Sequence, residues 1–178
     1  MNNMKINVED IFKFHKIRMA CHIKSVNYFA SLFGYCFPDH DADKNDEQIR
    51  IWHAYITYNK YHPELKLLDE YFTLCNDAQQ MHYKHASHHV QYYSDVSKIP
   101  DIRIYEMVSD WASADFELHN VLKVAETQPL EKWFADNMSH LSWSEHQIEL
   151  IKKSLKTIKE KSDKNKIMNI WQDLIKCI

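Results

Sequence analysis

The chain has 178 residues, one glycine, four prolines and a formal net charge of -3, which is long enough for one domain with a core of its own. So little glycine and proline argues against an architecture of tight hairpins, and the slight negative charge argues against a basic field for long nucleic acid. No apolar run approaches the roughly 18 residues of a membrane span, and "MNNMKINVED" lacks the apolar centre of a signal peptide.

From Val8 to about Phe33, Ile11, Phe14, Ile17, Met19, Ile23, Val26, Phe29 and Phe33 recur at helical spacing, and Gly34 is a natural stop. "CFPDHDADKND" breaks the pattern with a proline and four aspartates and reads as a polar connector. Ile49, Trp52, Tyr55 and Ile56 resume the period, and a third helix is expected from near Pro63 through Leu67, Leu68, Tyr71, Phe72, Cys75 and Ala78 into His82. "SDVSKIPDIR" punctuates next. Asp101 is expected to cap a helix whose face carries Ile104, Val108, Trp111, Ala112 and Phe116 and which ends near Gln128-Pro129. The last fifty residues read as one or two helices around Trp133, Phe134, Ile148, Ile151, Leu155, Ile158, Ile167, Trp171 and Leu174, with "KKSLKTIKEKSDKNK" as a solvated face and turn. Met107, Trp111 and Phe116 read as core. The expectation is an all-α bundle of six or seven helices in a single domain spanning 1–178. Cys21, Cys36, Cys75 and Cys177 show no CxxC spacing and suit free thiols in the cytoplasm.

Twelve histidines are present, and "HYKHASHH" packs four of them into residues 82–89. His22 on the first helix, His40-Asp41 in the connector, the histidine run and Asp110 supply imidazole nitrogen and carboxylate oxygen. Those are the donors that Mn, Fe, Co, Ni and Zn take, and a helical bundle can project them inward from facing helices. An adjacent His-Asp pair lets one loop aim both side chains at a centre, the carboxylate being able to bridge two ions. Isolated histidines are more often surface or hydrogen-bonded residues, so His53, His62, His119, His140 and His146 receive no role. His15, two turns before His22, is a reserve candidate.

The segments "CHIKSV", "HDADK", "HYKHASHHVQYY" and "YEMVSDW" together resemble a small phage and bacterial family of unknown function with HIxxV, HDxSK, HHYxxNxHHPEHY and EMxCDW motifs. Its pattern is similar to the HD superfamily of metal-dependent phosphohydrolases. The resemblance covers about residues 20–145, including a weaker "SWSEHQIELI", and leaves 146–178 as C-terminal helices. It implies an HD-like bundle in which His22, His40, Asp41 and Asp110 hold a first metal. His82, His88 and His89 would hold a second, bridged by Asp41. His85 matches no family histidine and is expected to face away or touch substrate. The chain departs from the family at Met81, Ala86, Asp43, Val90-Gln91 and Ser109, which leaves the first set complete and falls mostly around the second.

Lys44, three residues beyond Asp41, is where a phosphohydrolase of this kind carries an ammonium for a phosphate oxygen; the plain alternative is a solvated lysine. Glu106, one turn before Asp110, is expected to orient a ligand histidine or a water. The function implied is hydrolysis of a nucleotide or another small phosphate ester with one or two divalent transition-metal ions, Asp41, Lys44 and Glu106 serving the chemistry. A non-catalytic nucleotide- or partner-binding protein and a di-iron oxygenase are the other readings. The expected partner is a small phosphorylated substrate, with no long nucleic acid and no membrane.

Overall fold

A computed structural model describes residues 7–64, 69–124 and 128–178. Helix α1 (Val8–Ser31) starts where the Asn7 side chain accepts from the Glu9 amide at 3.0 Å, with Glu9 and Asp10 in the positive first turn. Ile11, Phe14, Met19, His22, Val26 and Phe29 fall on its buried side. It ends as Gly34 enters the left-handed region at φ 81°. The Tyr35 amide then donates to Ala30 O and the Gly34 amide to Ser31 O, each at 3.1 Å, closing a Schellman turn.

The connector that follows contains one 3-10 turn and leads into α2 (Glu47–Tyr61), then α3 (Asp69–His85) and α4 (Asp101–Phe116). Helix α4 runs on into a π-helical turn, Glu117–Val121. Helices α5 (Leu130–Asn137), α6 (Glu145–Lys161) and α7 (Lys164–Ile175) complete an all-α architecture, with no strand among the described residues. A capping box opens α6: Ser144 accepts from the Gln147 amide and Gln147 from the Ser144 amide.

Several boundaries differ from the sequence expectation. Leu67 and Leu68 lie outside the described residues. Pro100, not Asp101, occupies the cap position of α4; a proline there presets the extended backbone before the first turn, and the Asp101 carboxylate accepts from His146 Nε2 at 2.9 Å instead. The α4 pattern ends near Val121 rather than at Gln128-Pro129. Three helices, not one or two, fill the last fifty residues, because the turns before Ser144 and at Asp163 each carry a side-chain cap. Lysines 152, 153, 156, 159, 161, 164 and 166 are all exposed, and the four cysteines are free thiols. No described helix is long and apolar enough to cross a membrane.

Helices α1 and α4 pack together and divide the molecule. On one side an apolar core joins them to α5, α6 and α7 through Ile104, Val108, Ile151, Ile167, Trp171 and Leu174, all at most 1% exposed. On the other side α1 packs on α2 and α2 on α3, and the buried residues there include polar ones: His15, His22, His40, Asp41, His53, Thr57 and His82.

At the foot of that half sits a charge that the sequence analysis did not flag. Glu117 is fully buried in the π turn and accepts from Arg18 Nε at 3.0 Å and Nη2 at 2.7 Å, from Lys60 Nζ at 2.9 Å and from Tyr61 Oη at 2.6 Å. One carboxylate thereby ties α4 to α1 and α2. Burial favours the neutral acid, but Arg18 and Lys60 outweigh it and hold the Glu117 carboxyl below the usual glutamate range. Replacing Glu117 by Gln leaves Arg18 without its countercharge, so a loss of about 3 kcal/mol or more is expected in chemical denaturation. Because a depressed carboxyl contributes stability above its unfolded pKa, the wild type should also lose stability as pH falls below about 4. Glu117→Gln should show a weaker acid dependence.

Candidate metal centre

Three backbone segments and one loop deliver the polar cluster. His22 lies on the α1 face about three turns before Gly34, and Asp110 and Glu106 lie one turn apart on α4. His82 lies in the last turn of α3, with His88 and His89 in the turn after it. His40 and Asp41 come from the connector, whose position is set by Asn27 of α1: its Oδ1 accepts from the Phe37 amide at 2.6 Å and its Nδ2 donates to Phe37 O at 3.1 Å. Asp41 takes a left-handed backbone, φ 61°. Only glycine visits that region without penalty, though aspartate tolerates it better than most residues. A kink at this point turns the Asp41 carboxylate into the bundle, where the residue is 3% exposed.

The two oxygens of that carboxylate face different sets of imidazoles. Oδ2 lies 3.4 Å from His22 Nε2 and 3.7 Å from His40 Nε2, and Asp110 Oδ1 completes this side at 3.0 Å from His22 and 3.5 Å from His40. Oδ1 lies 3.3 Å from both His82 Nε2 and His88 Nε2, and His89 Nε2 is 2.9 Å from His82 Nε2. Around a tetrahedral ion with bonds of about 2.1 Å, ligand atoms stand about 3.4 Å apart. The observed spacings, 2.9 to 3.7 Å, bracket that value. Two groups take up these seven residues, His22-His40-Asp110 and Asp41-His82-His88-His89, and Asp41 touches both; a third, His40-His88-Glu106, overlaps them.

The outer nitrogens of three of these rings are occupied, which leaves Nε2 to point inward. His22 Nδ1 meets Ser113 Oγ at 3.1 Å, His40 Nδ1 meets Glu106 Oε1 at 3.1 Å, and His82 Nδ1 meets Asp43 Oδ2 at 2.8 Å. Three inward atoms, His40 Nε2, Asp41 Oδ1 and His88 Nε2, are buried with no hydrogen-bond partner. Buried polar atoms are rarely left in that state. Donor type, spacing and orphaned atoms all fit a bound divalent cation.

Electrostatics carry the same message. Burial opposes charge on His40, yet Asp41, Asp110 and Glu106 raise its pKa to about 10. Burial likewise favours neutral Asp41, but Lys44 and His40, with His22 and His88 facing its oxygens, hold it well below the carboxylate range. Asp110 is depressed against burial by His22 and His40. A proton on His40 stands where a cation would otherwise balance these carboxylates.

All seven residues expected to ligate metal, His22, His40, Asp41, His82, His88, His89 and Asp110, are thus brought together. Glu106 is buried against His40 and salt-bridged to Arg103. Lys44 Nζ donates to Asp41 Oδ2 at 2.8 Å rather than extending into solvent. His85 is exposed at the rim. His15 stands outside both groups, bonded to Thr57 Oγ1 at 3.2 Å; burial and the neighbouring cations Arg18 and Lys44 lower its pKa to about 4. Sequence reasoning gave His53 no role, but it is buried edge-on against His82, and burial with Lys44 nearby lowers its pKa to about 3. Its position on the α2 face with Ile49, Thr57 and Tyr61 was the available signal. Asn27, Asp43 and Ser113 carried no comparable signal, since each acts on a partner distant in sequence or set by a turn.

The family described as "Family of unknown function (DUF5662)" matches residues 11–172, and the chain belongs to it. No curated protein and no solved structure matches the chain.

Since His40 holds a proton near neutrality when no ion is bound, a divalent ion must displace it. Titration of Mn2+ or Zn2+ into metal-free protein should release protons, and affinity should rise from pH 6 to pH 8. Calorimetry in buffers of different ionisation enthalpy checks this; binding with no proton release would contradict the assignment of His40 as a ligand.

Proposed function

We propose that this member of the DUF5662 family is a metal-dependent phosphohydrolase of HD-like type, acting on a nucleotide or another small phosphate ester with two divalent transition-metal ions. The observation that carries this reading is the division of the Asp41 carboxylate, one oxygen toward His22 and His40 and the other toward His82 and His88. The chain order of His22, His40-Asp41 and Asp110 is also that of the HD pattern.

On this reading His22, His40 and Asp110 would hold one ion and His82, His88 and His89 the other, with Asp41 available to either. Divalent ions there supply Lewis acidity, lowering the pKa of a bound water and offsetting charge on the phosphoryl oxygens. Glu106 accepts from His40 Nδ1 and so fixes the tautomer that presents Nε2. Asp43 does the same for His82. Lys44 donates to Asp41 and keeps it ionised, adding positive charge behind the cluster. In the reaction the water oxygen bonds to phosphorus, the phosphorus–oxygen ester bond breaks, and the proton given up by water ends on the departing alcohol. The four free thiols fit a reducing compartment, and we place the protein in the cytoplasm.

Asp41→Asn tests the reading most economically, because it keeps shape and removes the bridging charge. Wild type should bind two ions and hydrolyse members of a nucleotide and phosphodiester panel supplied with Mn, Co, Ni, Mg or Zn, releasing phosphate from monoesters and a monoester plus an alcohol from diesters. The variant should lose metal and at least about a hundredfold of the activity together. Full metal content and full activity in Asp41→Asn would rule out the proposed centre. Iron loading with oxygen consumption and no phosphate release would favour an oxygenase, and binding without turnover a nucleotide-binding protein.

A further inference from the structure

A cavity of about 430 Å3 opens onto the centre, with His40, Asp41 and His88 lining it together with Asp39, His85 and Arg103. Such a volume lies at the low end of small-ligand sites, the size for one compact molecule. Lys44 is not among its lining residues, and its ammonium is committed to Asp41. The cation on the wall is Arg103. Its Nη1 donates to Glu106 Oε2 at 2.5 Å, and Glu106 in turn holds His40. This anchor orients the guanidinium while the side chain stays 40% exposed. A guanidinium pinned at one nitrogen keeps other N–H groups for a phosphate, at low entropic cost.

Charge selects the kind of phosphate. Around the centre itself, Asp41, Asp43, Glu106 and Asp110 stand against Lys44 and Arg103 as fixed cations, a deficit of two charges before the exposed Asp39 at the cavity rim is counted. Two divalent ions, as in the function proposed above, turn that deficit into an excess of two. A phosphate monoester near neutrality carries about two negative charges. A triphosphate carries more, and its additional charge would meet Asp39, an exposed carboxylate at the rim. Resting on the phosphohydrolase reading, we infer that Arg103 grips the substrate phosphate and that the substrate is a phosphate monoester with a neutral, compact remainder, such as a nucleoside monophosphate, rather than a polyphosphate.

The test uses the full chain loaded with Mn2+ at fixed free metal, titrated calorimetrically with AMP and with ATP, with phosphate release measured in parallel. Wild type should bind AMP more tightly than ATP. Arg103→Ala should weaken AMP binding about tenfold to a hundredfold when compared with wild type at equal metal occupancy, and Arg103→Lys, which keeps the countercharge on Glu106, should recover only part, since a lysine keeps the charge but not the fork. Asp39→Asn should narrow the gap by improving ATP binding. Unchanged AMP affinity in metal-replete Arg103→Ala, or wild type binding ATP as well as AMP, would overturn the inference. Arg103-dependent AMP binding without phosphate release would sustain it while sinking the hydrolase reading. Phosphate release indifferent to Arg103 would do the reverse.

Discussion

Placing an ionised carboxylate in a protein interior costs several kcal/mol unless its charge is matched and its lone pairs are occupied. Asp41 is such a group, 3% exposed and held on a left-handed backbone that itself carries strain. Much of the polar half of this molecule acts to offset that placement. Lys44 supplies one direct countercharge, His22, His40, His82 and His88 surround both oxygens, and Asp43, Glu106 and Ser113 hold three of those rings from behind. The arrangement still leaves His40 Nε2, Asp41 Oδ1 and His88 Nε2 without partners. A cluster with orphaned inward atoms and more carboxylates than fixed cations has the chemistry to hold a divalent cation.

Rigidity for such a cluster comes from elements that contain none of its ligands as well as from those that do. Helices α1 and α4 each contribute histidine or carboxylate residues of the cluster on one face and apolar residues to the core with α5, α6 and α7 on the other. Positional error in the site is therefore limited by close packing around Trp171, Ile104 and Ile151, which have no room to adjust. Glu117 serves the same end by a different interaction, since its bonds to Arg18, Lys60 and Tyr61 fix α1 and α2 against the end of α4. The π turn that buries Glu117 widens the helix where this carboxylate must reach inward.

Much of this was legible in the sequence, for reasons that can be named. Periodicity gave the helices because the apolar core follows it: Ile11 to Phe29 in α1 and Ile104 to Phe116 in α4 recur at three and four. The seven clustered histidine and aspartate residues were visible because ligand chemistry restricts residue type and because two of the motifs are local in sequence. What was hidden depends on distance or on turn geometry. Asn27 reveals its purpose only when the connector folds back to place Phe37 beside it. Glu117 belongs to no motif, and its partners Arg18, Lys60 and Tyr61 lie on other helices far off in sequence. Pro100 displaced Asp101 from the cap because the choice between neighbouring cap positions is a matter of one residue of backbone. His53 had the right periodicity but no motif around it.

The account turns on Asp41 as a bridge, and diffraction from crystals grown with Mn2+ addresses it directly. Anomalous difference maps should show two peaks about 3.5 to 4 Å apart, one near His22, His40 and Asp110 and the other near His82, His88 and His89, with Asp41 between them. Peaks confined to the protein surface, with none inside the cluster, would contradict it.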